Sequence, residues 1–326
     1  MQTTLSVYRR ALRRDGHYIA AQLAAEHHAS LSLQGEAERL AWDELRELLD
    51  TGDHDAQPRL LTLRSADDVQ TMELAPVLIE GVMRECELGM LVGAAKTRKT
   101  WIALDLALAM TSGGRWMDGI GCGEPRNVLY VDAEASPAVV GDRLRLLSID
   151  RRPPPLADLR ILSTRGHSPG TVGIAAEMLC QGISQCDAQL CIVDTLSAFL
   201  PLENENDNAE ATRAMSALVR VCEDMQCAIL LVHHTPKGGG AGRAAIDAAA
   251  GAGAFTRRVD TCLAVREEDG ETYLDVRARS FESLNRAAIT FDRATMQPRC
   301  ESAPDTLAIP LPTVRPRKNV LTKSRD

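Results

Sequence analysis

LGMLVGAAKTRKTWIALDLALAMTS, residues 88–112, has the pattern of a buried strand, a tight loop and an amphipathic helix. The apolar run before Gly93 lacks a helical period, whereas apolar residues after Lys99 recur among strong helix formers. Gly93, Lys99 and Thr100 match the spacing G-x-x-x-x-G-K-[ST], in which main-chain N–H groups and a helix N-terminus surround phosphate oxygens. The stretch therefore predicts a phosphate-binding loop.

One position of this loop departs from the pattern. Arg98 stands where the second glycine belongs, and a left-handed backbone at a residue with a side chain costs roughly 1–2 kcal/mol. Two interpretations stay open, an active loop with an extra cation near the phosphates and a degenerate loop that has lost hydrolysis. We expect the nucleotide to contact the entire loop, which consists of Gly93, Ala94, Ala95, Lys96, Thr97, Arg98, Lys99 and Thr100.

The composition is that of a globular α/β protein. The 326 residues are 45% hydrophobic and 3% aromatic, with a formal net charge of -8. This charge argues against a surface that coats nucleic acid indiscriminately, but it leaves room for a local basic channel. The nine cysteines form no C-x-x-C pair and no long uncharged apolar span is present, so we expect reduced thiols, a cytoplasmic protein and no membrane contact.

The chain is predicted to have three parts. Residues 1–64 alternate apolar and charged positions in a helical pattern, and residues 302–326 are rich in proline and basic residues, which indicates a disordered tail. Between them, residues 65–301 alternate apolar strands with helices, the pattern of a parallel sheet covered on both faces. Three late strand candidates joined by short turns predict an antiparallel far edge.

Acidic side chains follow two of the predicted strands. Asp194 ends LCIVD and is positioned to hold Mg²⁺ beside the Thr100 hydroxyl, unless it only caps a turn. Asp132 and Glu134 end VLYVDAE, and one of them would activate water as a general base. We favour Glu134 for its longer side chain, although it could instead provide negative charge at a helix N-terminus.

Two histidines close the strand AILLV. Because neighbouring residues on a strand point to opposite sides, only one of His233 and His234 is expected to meet the nucleotide. A histidine there could donate a hydrogen bond to the γ-phosphate and sense its loss. We favour His234, and a core histidine is the alternative.

The order of GAAKTRKT, YVDAEAS, LCIVDT and LLVHHTPKGG resembles the RecA-type ATPases. It is most similar to the RepA-type hexameric replicative helicases of broad-host-range plasmids, in the AAA group that also contains relatives of DnaB and KaiC. The resemblance covers residues 76–292. It implies a RecA-like P-loop core that uses ATP and Mg²⁺.

The resemblance also implies roles for individual residues. Glu134 would be the catalytic glutamate and His234 the phosphate sensor. Arg277 and Arg279, in YLDVRARSF, would reach into the ATP site of a neighbouring subunit, or they could be simple surface charge on a strand. Lys237 and Arg243 lie where the family places a DNA-contacting loop, but no aromatic residue stands between them to stack bases, and a flexible loop without a ligand is the alternative.

The function expected from these features is a Mg²⁺-dependent ATPase that forms a homo-hexamer and moves along single-stranded DNA in plasmid or phage replication. Two alternatives stay open. One is an ATP-gated switch or loader that acts on a protein partner, and the other is a nucleotide-binding scaffold with little hydrolysis.

Overall fold

A computed structural model of the chain describes residues 63–149, 159–200, 202, 207–234 and 253–300. The chain divides into two units, Met1–Met72 and Glu73–Asp326. The predicted helical region up to residue 62 and the predicted tail 302–326 lie outside the described residues, so both stay predictions. In the first unit the structure describes helix α1, Ala66–Thr71. Ser65 caps it by accepting a hydrogen bond from the Asp68 N–H and, in return, donating its own N–H to the Asp68 carboxylate.

Most strands of the second unit form one large sheet. In chain order the described strands are β1 (Val77–Ile79), β2 (Met83–Arg84), β3 (Leu88–Gly93), β4 (Arg115–Trp116), β5 (Ile120–Gly121), β6 (Val128–Asp132), β7 (Leu159–Ser163), β8 (Leu190–Asp194), β9 (Ala228–His234), β10 (Thr261–Glu268), β11 (Glu271–Ala278), β12 (Leu284–Phe291) and β13 (Pro298–Cys300). The nine-stranded sheet has the order β13-β12-β11-β10-β3-β9-β8-β6-β7, while β1 with β2 and β4 with β5 form separate hairpins.

The sheet is parallel from β10 to β7 and antiparallel from β10 to β13. Every residue of β3, β6 and β8 is buried, as expected for strands covered on both faces. The predicted α/β class, with a mostly parallel sheet and an antiparallel edge, is therefore confirmed.

The described helices are α1, α2 (Lys99–Ser112), α3 (Pro137–Leu147), α4 (Val172–Cys186), α5 (Leu196–Phe199), α6 (Asn208–Met225) and α7 (Gly253–Arg258). Buried residues of α2 and α3 share a core cluster with alternate residues of the central strands. On the other face α4 packs closely on β6, because a Cβ added at Gly182 would lie 2.7 Å from a methyl carbon of Leu129. Helices thus cover both faces of the sheet.

Helix α2 is more deeply buried than the sequence predicted. The sequence suggested an amphipathic helix, but every residue from Ile102 to Thr111 is buried, and so is Lys99. The reason is that α2 packs against the sheet while α3, the β4–β5 hairpin and β13 cover its other sides. At its C-terminus Gly113 adopts φ 61°, and a Cβ there would lie 2.9 Å from the Gly123 carbonyl oxygen.

The other differences are local. The β1–β2 hairpin, the β4–β5 hairpin and β13 are short elements that were not predicted from the sequence. All nine cysteines are thiols, and seven of them are buried. No helix in the described part of the chain is long and apolar enough to span a membrane.

Candidate functional site

The predicted site residues of four strands meet where these strands end, along one edge of the sheet formed by the carboxyl ends of the strands. Strands β3, β9, β8 and β6 are adjacent and parallel, so their carboxyl ends lie side by side. Gly93 pairs with His234, and Asp132 pairs with Asp194. The loop after β3 therefore lies next to acidic side chains and a histidine that come from distant parts of the chain.

The loop between β3 and α2 is tightly constrained. A Cβ at Gly93 would lie 2.4 Å from the Val265 carbonyl oxygen, so only glycine fits there. Lys96 and Arg98 have positive φ values of 71° and 62°. The left-handed conformation expected at the second glycine position is therefore present, and Arg98 adopts it. Because α2 begins at the next residue, main-chain N–H groups of its first turn lack helical acceptors and can face an anion.

Lys99 holds a buried positive charge at the base of the loop. Its side chain is 3% exposed, and Nζ donates hydrogen bonds to the carbonyl oxygens of Gly93 and Ala94, both at 2.8 Å. Burial lowers the pKa of Lys99 to about 8, and the negative charges of Asp194 and Glu134 oppose this shift. An anion bound in the loop would favour the charged form further.

Asp194 presents one carboxylate oxygen to this edge. Its Oδ2 accepts a 2.7 Å hydrogen bond from the buried Tyr130 hydroxyl, and Oδ1 has no hydrogen-bond partner among the described residues. Burial raises the pKa of Asp194, while hydrogen bonds from Tyr130 and Thr100 oppose the rise. A buried carboxylate oxygen without a partner, next to a threonine hydroxyl, fits the oxygen ligands that Mg²⁺ prefers.

The two acidic residues after β6 have different environments. Asp132 Oδ1 accepts hydrogen bonds from the main-chain N–H groups of Glu134 and Ala135, so this carboxylate fixes the turn before α3. Burial also raises the pKa of Asp132. The side chain of Glu134 is 55% exposed, and its Oε1 accepts a 2.8 Å hydrogen bond from the Thr195 hydroxyl. Glu134 is therefore the one of the two whose carboxylate is open to a ligand.

The two histidines point to opposite sides of the strand, as the strand geometry predicts. His234 Nε2 lies 3.9 Å from Glu134 Oε1, and its side chain is 39% exposed at the site. His233 is buried and its ring lies 5.5 Å from that of Phe255 in α7. Burial lowers the pKa of His233 to about 4, with further lowering by the charges of His234 and Lys99. His233 is thus a neutral core histidine, and His234 faces the acidic side chains.

Arg277 and Arg279 lie near the opposite end of the strands, where β3 begins. Arg277 pairs with Cys262, which pairs with Met90 near the start of β3. Arg279 Nη1 is 3.6 Å from Asp260 Oδ1, and the other carboxylate oxygen of Asp260 accepts the N–H of Leu88. Since β3 has six residues, its two ends are about 17 Å apart.

Arg279 is therefore about one strand length from the loop of its own chain. Arg277, level with Met90 and two strands away from β3, is also beyond side-chain reach of the loop. Lys237 and Arg243 lie outside the described residues, and their predicted contact with DNA stays a prediction.

Two hydroxyl groups of the site, those of Tyr130 and Thr195, were not predicted from the sequence. Tyr130 stands in an otherwise apolar strand before Asp132, and a buried tyrosine hydroxyl needs a hydrogen-bond partner, which is a usable signal. Thr195 directly follows Asp194, but its contact with Glu134 depends on the packing of β8 beside β6.

Comparison with known protein families gives a match over the central part of the chain. The family model AAA_25, described as an AAA domain, matches residues 55–240, which is more than half of the chain. The matched range contains the loop 93–100, Glu134, Asp194 and His234, and it ends before Arg277. None of the curated proteins matches the sequence.

The hydrogen bond between Tyr130 and Asp194 predicts a measurable loss of stability. Tyr130→Phe should lower the free energy of unfolding by about 1.5–3 kcal/mol, because a buried carboxylate loses a hydroxyl donor. Urea denaturation followed by circular dichroism measures this. Tyr273→Phe is the matched control, since the Tyr273 hydroxyl donates to the exposed Glu271 and its loss should leave stability nearly unchanged. Equal effects of the two substitutions would contradict the assignment.

Proposed function

We propose that this chain, which belongs to the AAA domain family, is a Mg²⁺-dependent ATPase. One observation carries the proposal. Lys99, a buried lysine in a strand–loop–helix turn, lies near Asp194 and Glu134 at the carboxyl ends of the parallel strands. Cationic and main-chain donors for phosphates, a metal-binding carboxylate and an open carboxylate are the parts that phosphoryl transfer to water requires.

The loop and the strand ends divide the work of binding. Main-chain N–H groups of residues 93–100 and the Lys99 ammonium hold the phosphates. The Thr100 hydroxyl and Asp194 Oδ1 would hold Mg²⁺. When bound, Mg²⁺ neutralises charge on the β- and γ-phosphates. Because Tyr130 occupies the other oxygen of Asp194, the carboxylate keeps a fixed orientation.

Glu134 acts as the general base in this proposal. Thr195 holds its Oε1, and the other carboxylate oxygen accepts a proton from the attacking water. A bond then forms between the water oxygen and the γ-phosphorus, and the bond from that phosphorus to the β-γ bridging oxygen breaks. His234, beside Glu134, donates a hydrogen bond to the γ-phosphate and changes partner when it leaves.

The finer proposal is a RepA-type hexamer that moves along single-stranded DNA, with a RecA-like core. Its support is the position of Arg277 and Arg279, which lie too far from the loop of their own chain to contact its phosphates. A shared site, in which these arginines stabilise charge on the nucleotide of the next subunit, would give them a role. Lys237 and Arg243 would contact DNA phosphates in the channel of the ring.

The proposed hydrolysis is tested by steady-state phosphate release. Lys99→Ala should lower the rate at least about a hundredfold, because it removes a charge that stabilises the transferred phosphoryl group. Glu134→Gln should lower kcat by a factor of about 10²–10⁴ while ATP still binds. Addition of single-stranded DNA should raise the rate of the unsubstituted protein. A rate no higher than that of Lys99→Ala would rule out catalysis, and a rate indifferent to DNA would favour the protein-directed switch.

The low pKa of Lys99 predicts how nucleotide affinity depends on pH. Below about pH 8 the amine is charged in the free protein and the affinity should be constant. Above that value binding must take up a proton, so the affinity should fall, approaching tenfold for each further pH unit.

Isothermal titration of ATP·Mg²⁺ between pH 7 and 9.5 measures this slope. Lys99→Arg is the control, because a guanidinium keeps its charge throughout and the slope should vanish even if affinity is lower. A slope that persists in Lys99→Arg would assign it to another group.

Mixing two inactive variants tests whether the site is shared. Arg279→Ala and Glu134→Gln should each be inactive alone, but mixed oligomers contain interfaces with an intact Glu134 on one side and an intact Arg279 on the other. Phosphate release should therefore recover to about a quarter of the unsubstituted rate in an equal mixture, as random pairing gives. Arg293→Ala, which removes an exposed arginine after β12, is the control and should be active alone. No recovery on mixing would contradict catalysis in trans by Arg279.

A further inference from the structure

The exposed side chain of Arg98 contacts an aromatic ring. Its guanidinium carbon lies 4.8 Å from the centre of the Phe291 ring, in the geometry of a cation–π contact. Phe291 is the last residue of β12 and packs, half-buried, against the core cluster that contains the buried residues of α2. The residue that replaces the second glycine of the loop is thus attached to the antiparallel side of the sheet.

The position of this pair follows from the strand order. Strand β12 runs in the same direction as β3, because β10 is parallel to β3 and the next two pairings are antiparallel. The C-terminal end of β12, and with it Phe291, therefore lies at the same edge of the sheet as the loop. The groups proposed for the γ-phosphate come from β6, β8 and β9, on the other side of β3.

This arrangement gives the nucleotide a direction. With its γ-phosphate beside Glu134 and His234, the polyphosphate crosses the loop and the nucleoside emerges on the opposite side of β3. That side consists of β10, β11, β12 and β13, and the side chain of Arg98 contacts Phe291 there. The pair is therefore placed at the nucleoside end of the bound molecule and away from the reacting phosphate.

The chemistry of the pair fits an aromatic ligand. The guanidinium of Arg98 lies over the ring of Phe291, and because Arg98 is exposed, a ligand can still reach this group. Guanidinium planes stack on aromatic rings, and nucleobases stack on arginine in the same manner. We propose that Arg98, held by Phe291, is the stacking platform for the base of the bound nucleotide. This inference rests on the proposed function, since it requires a nucleotide in the loop.

The test separates the base from the phosphates by comparing two ligands, ATP and inorganic tripolyphosphate, each with Mg²⁺. Arg98→Ala should weaken ATP binding about tenfold, the effect of losing one base-stacking contact, and leave tripolyphosphate binding unchanged. Alanine is chosen over glycine because its Cβ keeps the left-handed strain of this position the same. Isothermal titration calorimetry measures both affinities.

Two further variants sharpen the result. Phe291→Leu keeps the apolar packing but removes the ring, so it should also weaken ATP selectively, and its effect should not add to that of Arg98→Ala. Arg286→Ala is the matched control. Arg286 also has a positive φ, 54°, and lies over an aromatic ring, that of Tyr273, at 4.2 Å.

Tyr273 alternates along β11 with Leu274, which belongs to the core cluster on the α2 side, so the control pair lies on the other face of the sheet. Arg286→Ala should leave both affinities unchanged.

Each contrary result has a distinct meaning. Equal weakening of ATP and tripolyphosphate by Arg98→Ala would show that Arg98 binds phosphate, and no weakening of either would show that the pair only stabilises the loop. Both overturn the proposal. Failure of the unsubstituted protein to bind either ligand would instead refute the proposed function itself, before any variant is compared. Circular dichroism spectra of the variants establish that they are folded.

Discussion

The buried ammonium of Lys99 is the interaction on which the arrangement of the site depends. A charged amine that is 3% exposed is unstable unless fixed polar groups replace its water, and two main-chain carbonyl oxygens of the loop do so. These contacts bend the loop back over its own lysine, and Gly93 at the start of the loop lies close to the Val265 carbonyl oxygen. They do not fully compensate burial, since the pKa remains near 8. The loop is consequently preformed, and an anion bound there would complete the electrostatic balance that burial of Lys99 leaves unfinished.

Two hydroxyl groups give the acidic side chains different hydrogen-bonding environments. Tyr130 binds one oxygen of Asp194 and leaves the other without a partner, while Thr195 binds one oxygen of Glu134 and leaves the carboxylate half-exposed. Asp132, by contrast, is occupied by main-chain N–H groups. Three carboxylates of similar chemistry thus differ in the number of oxygens they can offer. Orientation by neighbouring hydroxyls, more than residue type, distinguishes the proposed metal ligand and the proposed base from the structural carboxylate.

Local chemistry made much of the fold predictable. The strand–loop–helix stretch and the alternation of apolar strands with helices depend on neighbouring residues, and the structure contains them. The short β4–β5 hairpin and β13 escaped prediction because two or three residues carry no periodicity. Helix α2 was misjudged because its burial on all sides depends on what packs around it. The contacts of Arg98 with Phe291 and of Thr195 with Glu134 join distant parts of the chain, so no local pattern could indicate them.

At Arg98 the local backbone strain and the long-range contact with Phe291 have opposite effects on stability. The backbone costs roughly 1–2 kcal/mol at a residue with a side chain, and glycine would remove that cost. An exposed cation–π contact returns only about 0.5–1 kcal/mol, so Phe291 does not fully offset the strain. A position that retains uncompensated strain in a preformed ligand loop is characteristic of a functional site. The side chain of Arg98 is therefore better explained by the proposed contact with a nucleotide than by the stability of the free protein.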